Sequence, residues 1–534
     1  YDSNGEVVSD DDGEGSFWFS DFHHNGNLRY WNNPYEGHLG KMFDLDDLRT
    51  THPRVRNKLI AMSKALMSST DIDGMRIDAP MQVPLEFLKE WSPEIREHAE
   101  SLGKDNFFMF GEFFAGRGRS ATMIGRGKTP DQHGTSNTID SRRSLDSGLN
   151  YEFYWWLEQA IKNQNDGNLS GLSEVLDRDK QAYDLHVPSR NNDYRYRQVQ
   201  FFNNHDQARL SFSSDGPQKS NLAAGLIASW PGIPAWYYGD EQAFETELMN
   251  NDRGVEDGWV RETMMTSVAW SVPEAVTVNG GNPSETDNFN MTHPNYRWIQ
   301  KLLNARSKYW NLQSCDSITE RYKQPNDANG IYAFSRKCGS DKDDWLFIVF
   351  NTWRQGITKF GDIRTGFDAG DTIVNVLNPS ERYPVSGEGG FVQDLHVNGY
   401  GFKIFAREQG LLTLDPVVEF VSPNHDEIIA GQETTITIRF DSAMSEASVK
   451  EAFRFKGQSV ATNALVWNAD DRELTYTATV TPGIHQFEIL DTAESLDGLG
   501  LISTFSSRFR SGGSDNVIMN PEIGQNNNLI ELVN

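Results

Sequence analysis

Cysteine, basic residues and long apolar runs are all scarce in this sequence, and each scarcity excludes a class of protein. Cysteine occurs twice in 534 residues, at Cys315 and Cys338, which excludes a disulfide-rich scaffold. The two would bridge in a secreted protein, although two free thiols fit nearly as well. No run of about 20 apolar residues occurs, so we expect no transmembrane helix. The first residues are polar and acidic, unlike a signal peptide.

The shortage of basic residues limits the partners of the chain. Lys and Arg number 49 against 76 Asp and Glu, which gives a net charge of −27. Phosphates repel such a surface, so we expect neither nucleic acid nor an anionic membrane as a partner. A neutral polysaccharide is compatible with this charge. The 14 Trp residues offer faces on which sugar rings stack, although most of them are expected in the core.

Residues 71–80 carry charges in an unusual place. The apolar residues Ile72, Met75 and Ile77 predict a short buried strand. Arg76 and Asp78 are two positions apart, so their side chains would point to the same side of this strand. Buried charges are costly unless they are paired or used. A structural Arg–Asp pair at a strand end explains this segment alone about as well as a functional site does.

Two later segments favour the functional interpretation. Residues 107–112 form an apolar strand that ends in Glu112, and residues 198–206 form another that ends in His205 and Asp206. Helical stretches separate the three strands, and the C-terminal ends of parallel barrel strands meet on one face. Three converging carboxylates and an Arg indicate a retaining glycosidase, which needs a nucleophile and an acid/base.

The same residues resemble the motifs of the α-amylase superfamily, glycoside hydrolase family 13. The strand-four motif matches Gly74, Arg76 and Asp78, and the strand-five motif matches Glu112. The strand-seven motif matches Asn204, His205 and Asp206, and a motif near strand eight matches residues 232–241. The resemblance implies that Asp78 is the nucleophile, Glu112 the acid/base and Asp206 the stabiliser of the transition state. Arg76 and His205 would bind substrate.

The resemblance also predicts an α/β fold, a (β/α)8 TIM barrel followed by an antiparallel β domain. After Pro416, strands at regular spacing with turn signals predict an immunoglobulin-like β-sandwich. The family's strand-three motif is not found, so we expect the N-terminal strands, one to three, to be missing from this sequence, which would then be a fragment. The predicted domains are the remainder of the domain B excursion at 1–52, barrel strands four to eight at 53–312, the antiparallel β domain at 313–415, the sandwich at 416–512 and a loose tail at 513–534.

A narrower resemblance covers residues 20–510. Residues 69–78, 87–92, 102–108 and 124–130 are similar to the extracellular amylase-like domain of fungal cell-wall α-1,3-glucan synthase. That resemblance implies an α-glucan partner, an extracellular or cell-wall location, and a tether to a membrane-bound synthase in a longer chain. It leaves open hydrolysis or transglycosylation and α-1,4 or α-1,3 linkage.

Two positions depart from these families. Ala79 stands where the synthases carry Lys, and Gln82 stands where many amylases carry a His that helps to bind calcium. The strand-three Asn is also not found, so we expect no cofactor: calcium remains an option, but its usual ligands are not seen.

A non-catalytic carbohydrate-binding or scaffolding domain is the alternative function, because a fold does not determine an activity. Such relatives usually lose one or more of the three carboxylates, and all three are present here. The sandwich holds no cluster of catalytic residues, so a spacer or packing role is favoured for it over sugar binding.

Overall fold

The computed structural model describes most of residues 17–511. The exceptions are 31–32, 43–44, 125, 131–136, 141–143, 163–168, 170, 173, 176–177, 179–185, 188–197, 212–214, 246–248, 252–253, 257–259, 263, 265–286, 315–316, 326–327, 338, 360–362 and 388–389. Both cysteines and the predicted tail lie outside the described residues. The chain forms two compact units, one from Tyr1–Tyr237 with Ala305–Leu412 and one from Tyr238–Asn304 with Thr413–Asn534. The predicted domain boundaries stay predictions.

Parallel strands form the centre of the first unit. In spatial order they are Gly74–Ile77, Phe108–Gly111, Ser147–Gly148, Val199–Gln200 and Ile233–Pro234. A parallel bridge between Leu149 and Val199 joins the third to the fourth. These are the predicted strands four to eight, in sequence order and all parallel.

The helices between these strands follow the apolar periodicity of the sequence. Pro53–Thr70 begins with a proline, which suits the first turn because its missing N–H has no partner there. Leu85–Ser101 buries the apolar side of its surface, and the chain leaves it through Gly103 at φ 79°. Other helices described in this unit include Pro34–Gly37, Arg117–Thr122, Tyr151–Leu157, Gly216–Ser229 and Trp310–Ser314, with a π-helical turn at Glu158–Lys162.

The ring of Phe113 fills the space between two strand ends. Phe113 is fully buried. A Cβ on Gly111 would lie 2.8 Å from this ring, and a Cβ on Gly148 would also collide with it. Only glycine therefore fits at these two positions beside the ring.

An antiparallel sheet completes the first unit and confirms the β strands predicted for this region. Its core contains Phe347, Val349, Ile373 and Phe405. In spatial order its strands are Ser317–Lys323, Ile331–Lys337, Leu346–Asn351, Phe402–Arg407, Thr372–Asn375, Asn378–Ser386, Phe391–Val392 and Ile363–Arg364. Smaller sheets pair Ile357–Lys359 with Leu395–Val397, Phe22–His23 with Asp47–Leu48, and Arg126–Pro130 with Asn137–Asp140 and His186–Val187.

Two sheets around a shared core dominate the second unit. One contains Val418–Ser422, Glu433–Phe440, Glu473–Thr479 and Leu465–Trp467, and the other Ile428–Ile429, Phe505–Ser511, Gly483–Ile489, Phe453–Phe455 and Gln458–Ser459. Ile436 and Ile438 of the first sheet share a buried cluster with Phe487 and Phe509 of the second. The unit also holds the helix Glu446–Ala452, the hairpin Met249–Asn251 with Gly254–Glu256, and most of the helix Pro294–Lys308.

Asp287 and Asn304, from the chain before the two sheets, bind residues within and just before these sheets in the second unit. Arg508 lies 2.7 Å from Asp287 Oδ2 and donates to Asp426 Oδ1 at 2.7 Å. The backbone N–H of Asp287 donates to Asp426 Oδ2 at 3.0 Å, and Asn304 exchanges two hydrogen bonds with the backbone of Asp415. Burial alone would raise the pKa of Asp426, but its hydrogen bonds and ion pair with Arg508 hold that pKa below its usual value. These contacts make residues 287–304 part of the same folded unit as the sandwich.

Among the described residues, no helix is both long enough and apolar enough to cross a membrane.

Among the described residues, the Gly74–Ile77 strand pairs only with Phe108–Gly111, so its other edge has no partner strand there. The helix before this strand also exposes Met62 and Leu66, which are 52% and 50% accessible and stand one turn apart. An open strand edge can pair with a strand of another chain, and exposed apolar residues add surface that such association would bury.

We therefore predict that the protein associates in a concentration-dependent way, and that the double substitution Met62→Lys and Leu66→Lys reduces this association. Light scattering over a dilution series measures the molar mass. Val466→Lys is the matched control, because Val466 is 65% accessible but lies in the sandwich, and it should leave the association unchanged. A wild-type chain that stays monodisperse at every concentration would refute the prediction.

Candidate active site

Two of the predicted site residues stand immediately after two neighbouring parallel strands. Asp78 comes immediately after the Gly74–Ile77 strand, and Glu112 immediately after Phe108–Gly111. The register pairs Ile77 with Gly111, and the N–H of Glu112 donates to the carbonyl of Ile77 at 3.0 Å. Both carboxylates therefore stand at the same end of adjacent strands, as the sequence predicts.

Arg76 lies between these two carboxylates. Its Nη2 donates a short hydrogen bond to Glu112 Oε2, while its Nη1 is 3.5 Å from Asp78 Oδ1. The sequence predicts Arg76 beside Asp78 only because side chains two positions apart on a strand point the same way. The structure shows that the nearer carboxylate is Glu112, on the neighbouring strand.

Glu112 and Asp78 differ strongly in exposure. Glu112 is 8% accessible, whereas the side chain of Asp78 is 72% accessible. Burial raises the pKa of Glu112, while the hydrogen bond from Tyr151 and the charge of Arg76 lower it, and the negative charges of Asp206 and Asp78 raise it further. The net effect is a raised pKa of Glu112, and a raised pKa suits a proton donor.

The third carboxylate reaches the same place from the segment after Val199–Gln200. Asn204 Oδ1 accepts a hydrogen bond from the N–H of Asp206 at 2.9 Å, and His205 Nε2 is 3.2 Å from Asp206 Oδ2. Oxygen or nitrogen atoms of Glu112, His205 and Asp206 all lie within 4.8 Å of one another. The structure thus brings together all five predicted site residues, and their catalytic and binding roles remain predictions.

The fourth sequence motif contributes an aromatic ring at this end of the strands. Tyr237 follows the Ile233–Pro234 strand, and its ring centroid is 6.5 Å from that of His205. The guanidinium of Arg209 lies over the same ring at 4.2 Å. A cation over a tyrosine face is attracted by the ring quadrupole, which fixes the ring in place.

Tyr151 is a site residue that the sequence analysis did not identify. It is the first residue of the Tyr151–Leu157 helix, which Asn150 caps by accepting from the N–H of Phe153 at 3.1 Å. Its hydroxyl donates to Glu112 Oε1 at 2.5 Å. The signal in the sequence is an aromatic hydroxyl just after a short segment, which the structure shows to be the parallel strand Ser147–Gly148.

Two clusters in the described residues offer three potential metal ligands each. They are Glu112 with His205 and Asp206, and Asp287 with His425 and Asp426. Arg76 already pairs with Glu112 in the first cluster, and Arg508 pairs with both carboxylates of the second. These side chains are therefore better explained as partners of arginine than as ligands of a metal ion. Neither cluster includes Gln82, and the expectation of no cofactor stays a prediction.

Comparison with known proteins places the chain in a family. The sequence pattern of the alpha-amylase catalytic domain matches residues 11–308, which is more than half of the chain. A cell wall alpha-1,3-glucan synthase of Schizosaccharomyces pombe is 24% identical over 522 residues, covering 81% of this chain and 22% of that protein. An alpha-amylase of Streptomyces lividans is 28% identical over 323 residues, covering 58% of this chain and 31% of that protein. The chain therefore spans less than a third of the length of either relative.

Solved structures show the same fold. The alpha-amylase from Geobacillus thermoleovorans, complexed with acarbose, is 20% identical with a TM-score of 0.52, and the match covers 73% of this chain and 72% of that one. The gamma-CGTase from alkalophilic Bacillus clarkii is 18% identical with a TM-score of 0.52, covering 93% of this chain and 62% of that one. At these identities the likeness concerns the fold alone, a TIM barrel with β domains.

The family pattern covers the strands that carry Asp78, Glu112 and Asp206, and the chain belongs to the alpha-amylase family.

Proposed function

We propose that this chain acts on α-glucans as a retaining glycoside hydrolase or transglycosylase. The observation that carries the proposal is the contrast between two neighbouring carboxyl groups at one end of parallel strands. Glu112 is buried with a raised pKa, and Asp78 is exposed beside Arg76. A retaining enzyme needs two neighbouring carboxyl groups in different environments, one that donates a proton and one that attacks the sugar.

In the proposed mechanism, Asp78 attacks the anomeric carbon while Glu112 gives its proton to the leaving glycosidic oxygen. Before this step Glu112 carries that proton, so its attraction to Arg76 is weaker. Asp78, whose Oδ1 lies 3.5 Å from Arg76 Nη1, is then the other acidic partner of that guanidinium. Glu112 then takes a proton from water or from a sugar hydroxyl, which displaces Asp78 from the glycosyl–enzyme intermediate. Asp206 stabilises the positive charge that develops on the sugar ring, and His205 donates to a sugar hydroxyl.

The relatives suggest the substrate and the place of action. The acarbose bound by one structural relative and the name of the synthase relative support an α-linked glucan as the substrate. We propose that the chain is the amylase-like part of a cell-wall α-1,3-glucan synthase, acting at the cell surface and tethered to a membrane-bound synthase in a longer protein. The two-sheet unit would be an immunoglobulin-like sandwich with a packing role.

The alternative is an amylase-like domain that binds carbohydrate without cleaving it. The wide exposure of Asp78 supports this alternative, since water-accessible carboxylates gain little from electrostatic preorganisation. Turnover measurements on the following variants separate the two functions.

The first catalytic prediction is that the protein cleaves or transfers α-linked glucose oligomers with retention of configuration. Asp78→Asn should reduce the rate by on the order of 10³-fold or more, because an amide cannot attack the anomeric carbon. NMR of the product anomers from malto-oligosaccharides and nigero-oligosaccharides is the measurement. Asp105→Asn, at an exposed position before the neighbouring strand, is the control. Binding of both series without turnover would favour the carbohydrate-binding alternative.

The second prediction is that Glu112→Gln slows oligosaccharide cleavage by about 10²–10⁴-fold, the usual contribution of a general acid. An aryl glucoside with a good leaving group needs no proton in the first step, so glycosylation of the enzyme should be slowed much less for it. Burst kinetics with both substrates measure the difference, and Glu100→Gln on the exposed surface of a helix is the control. Equal losses for the two substrates would exclude Glu112 as the acid.

The third prediction is that Asp206→Asn reduces the rate by roughly 10²–10³-fold, as the loss of one electrostatic stabiliser does. Substrate affinity should change little, because the charge matters most in the transition state. Calorimetric titration of oligosaccharides measures the affinity beside the rate. A loss of affinity equal to the loss of rate would assign Asp206 to ground-state binding instead.

A further inference from the structure

Both oxygens of the Glu112 carboxylate have a donor of their own. Arg76 donates to Oε2, and the hydroxyl of Tyr151 donates to Oε1 at 2.5 Å. Two donors at fixed positions determine both the plane of a carboxylate and its distance from the strand end. Arg76 belongs to a known motif of the chain, whereas Tyr151 belongs to none.

The ring of Tyr151 is held on several sides. Tyr151 is 2% accessible, and its centroid lies 4.9 Å from that of Phe114 and 5.1 Å from that of Phe201, both in edge-to-face geometry. Tyr154 and Trp155 complete the surroundings at 5.9 and 5.8 Å. A ring packed in this way cannot swing its hydroxyl away from Glu112, and a residue buried in this way does not touch substrate.

Asn204 orients the hydroxyl of Tyr151. Its side-chain Nδ2 donates to the Tyr151 oxygen at 3.3 Å, while its Oδ1 accepts from the N–H of Asp206 at 2.9 Å. The Tyr151 oxygen therefore accepts from Asn204, and its own proton is directed at Glu112. The result is a hydrogen-bonded chain that runs from the backbone of Asp206 through Asn204 and Tyr151 to Glu112.

We infer that Tyr151 is a positioning residue for Glu112 and that Asn204 acts through Tyr151. This inference rests on the proposed function for its catalytic meaning. The Tyr151 hydroxyl stabilises the ionised carboxylate, so it opposes the effect of burial on the pKa of Glu112. Burial and the charge of Glu112 raise the pKa of Tyr151 itself, which keeps the hydroxyl protonated and able to donate.

Tyr151→Phe tests the inference, because it removes the hydroxyl and keeps the packed ring. Loss of a hydrogen bond to the ionised form should raise the pKa of Glu112 by about one pH unit. Carboxyl ¹³C NMR of protein labelled at Glu Cδ follows this titration, with the Glu112 resonance identified by its loss in Glu112→Gln. In the active protein, the alkaline limit of kcat/KM should move upward by the same amount, since Glu112 must be protonated for the first step.

Tyr154→Phe is the matched control. Tyr154 lies on the same helix and is equally buried, but its hydroxyl donates to Gln207 at 3.1 Å. It should leave the titration of Glu112 in place. Asn204→Ala should raise the pKa of Glu112 by less than Tyr151→Phe does, because the hydroxyl remains but loses its orientation.

The outcomes distinguish this inference from the proposed function. An upward shift of the NMR titration in a protein that turns over no α-glucan would support the positioning chain and refute the catalytic proposal. An unchanged titration in Tyr151→Phe, or the same shift in Tyr154→Phe, would overturn the inference even if the enzyme is active.

Discussion

The parallel register that pairs Ile77 with Gly111 is the constraint on which the site depends. Because the side chains of a strand alternate in direction, a slip of one residue would turn one of the two following carboxylates away from the other. The hydrogen bond from the N–H of Glu112 to the carbonyl of Ile77 extends this register one residue beyond the strand. Arg76 can then reach both Asp78 and Glu112 from a single position.

The sequence was sufficient to predict the strands and the carboxylates that follow them. Apolar runs ending in Asp78, Glu112 and Asp206 have a local pattern, and the structure places all three together at the strand ends. The sequence did not predict Glu112 as the partner of Arg76. The alternation of side chains relates residues of one strand only, and Glu112 follows the neighbouring strand. Nor did it predict Tyr151, because its contact with Glu112 joins a helix start to a strand end 39 positions away in the sequence.

The second unit shows the same limit on a larger scale. The strand pattern after Pro416 predicts the two-sheet arrangement, since each strand carries its own alternation. The contacts of Asp287 with Arg508 and His425 join residues that are more than a hundred positions apart, and no periodicity encodes them. The partners of the charged residues in 287–304 can therefore be identified only from the folded structure.

Phe113 has a consequence for how this site can vary among related sequences. Its ring occupies the space that side chains at positions 111 and 148 would need, so the three positions share one small volume. A larger residue at 148 requires a smaller one at 113, and a larger residue at 111 requires a change at Pro80 as well, whose Cγ would lie 2.7 Å from the added Cβ. These three positions should thus be inherited as a set, and their joint substitution would mark branches in which the spacing of the strand ends has been rebuilt.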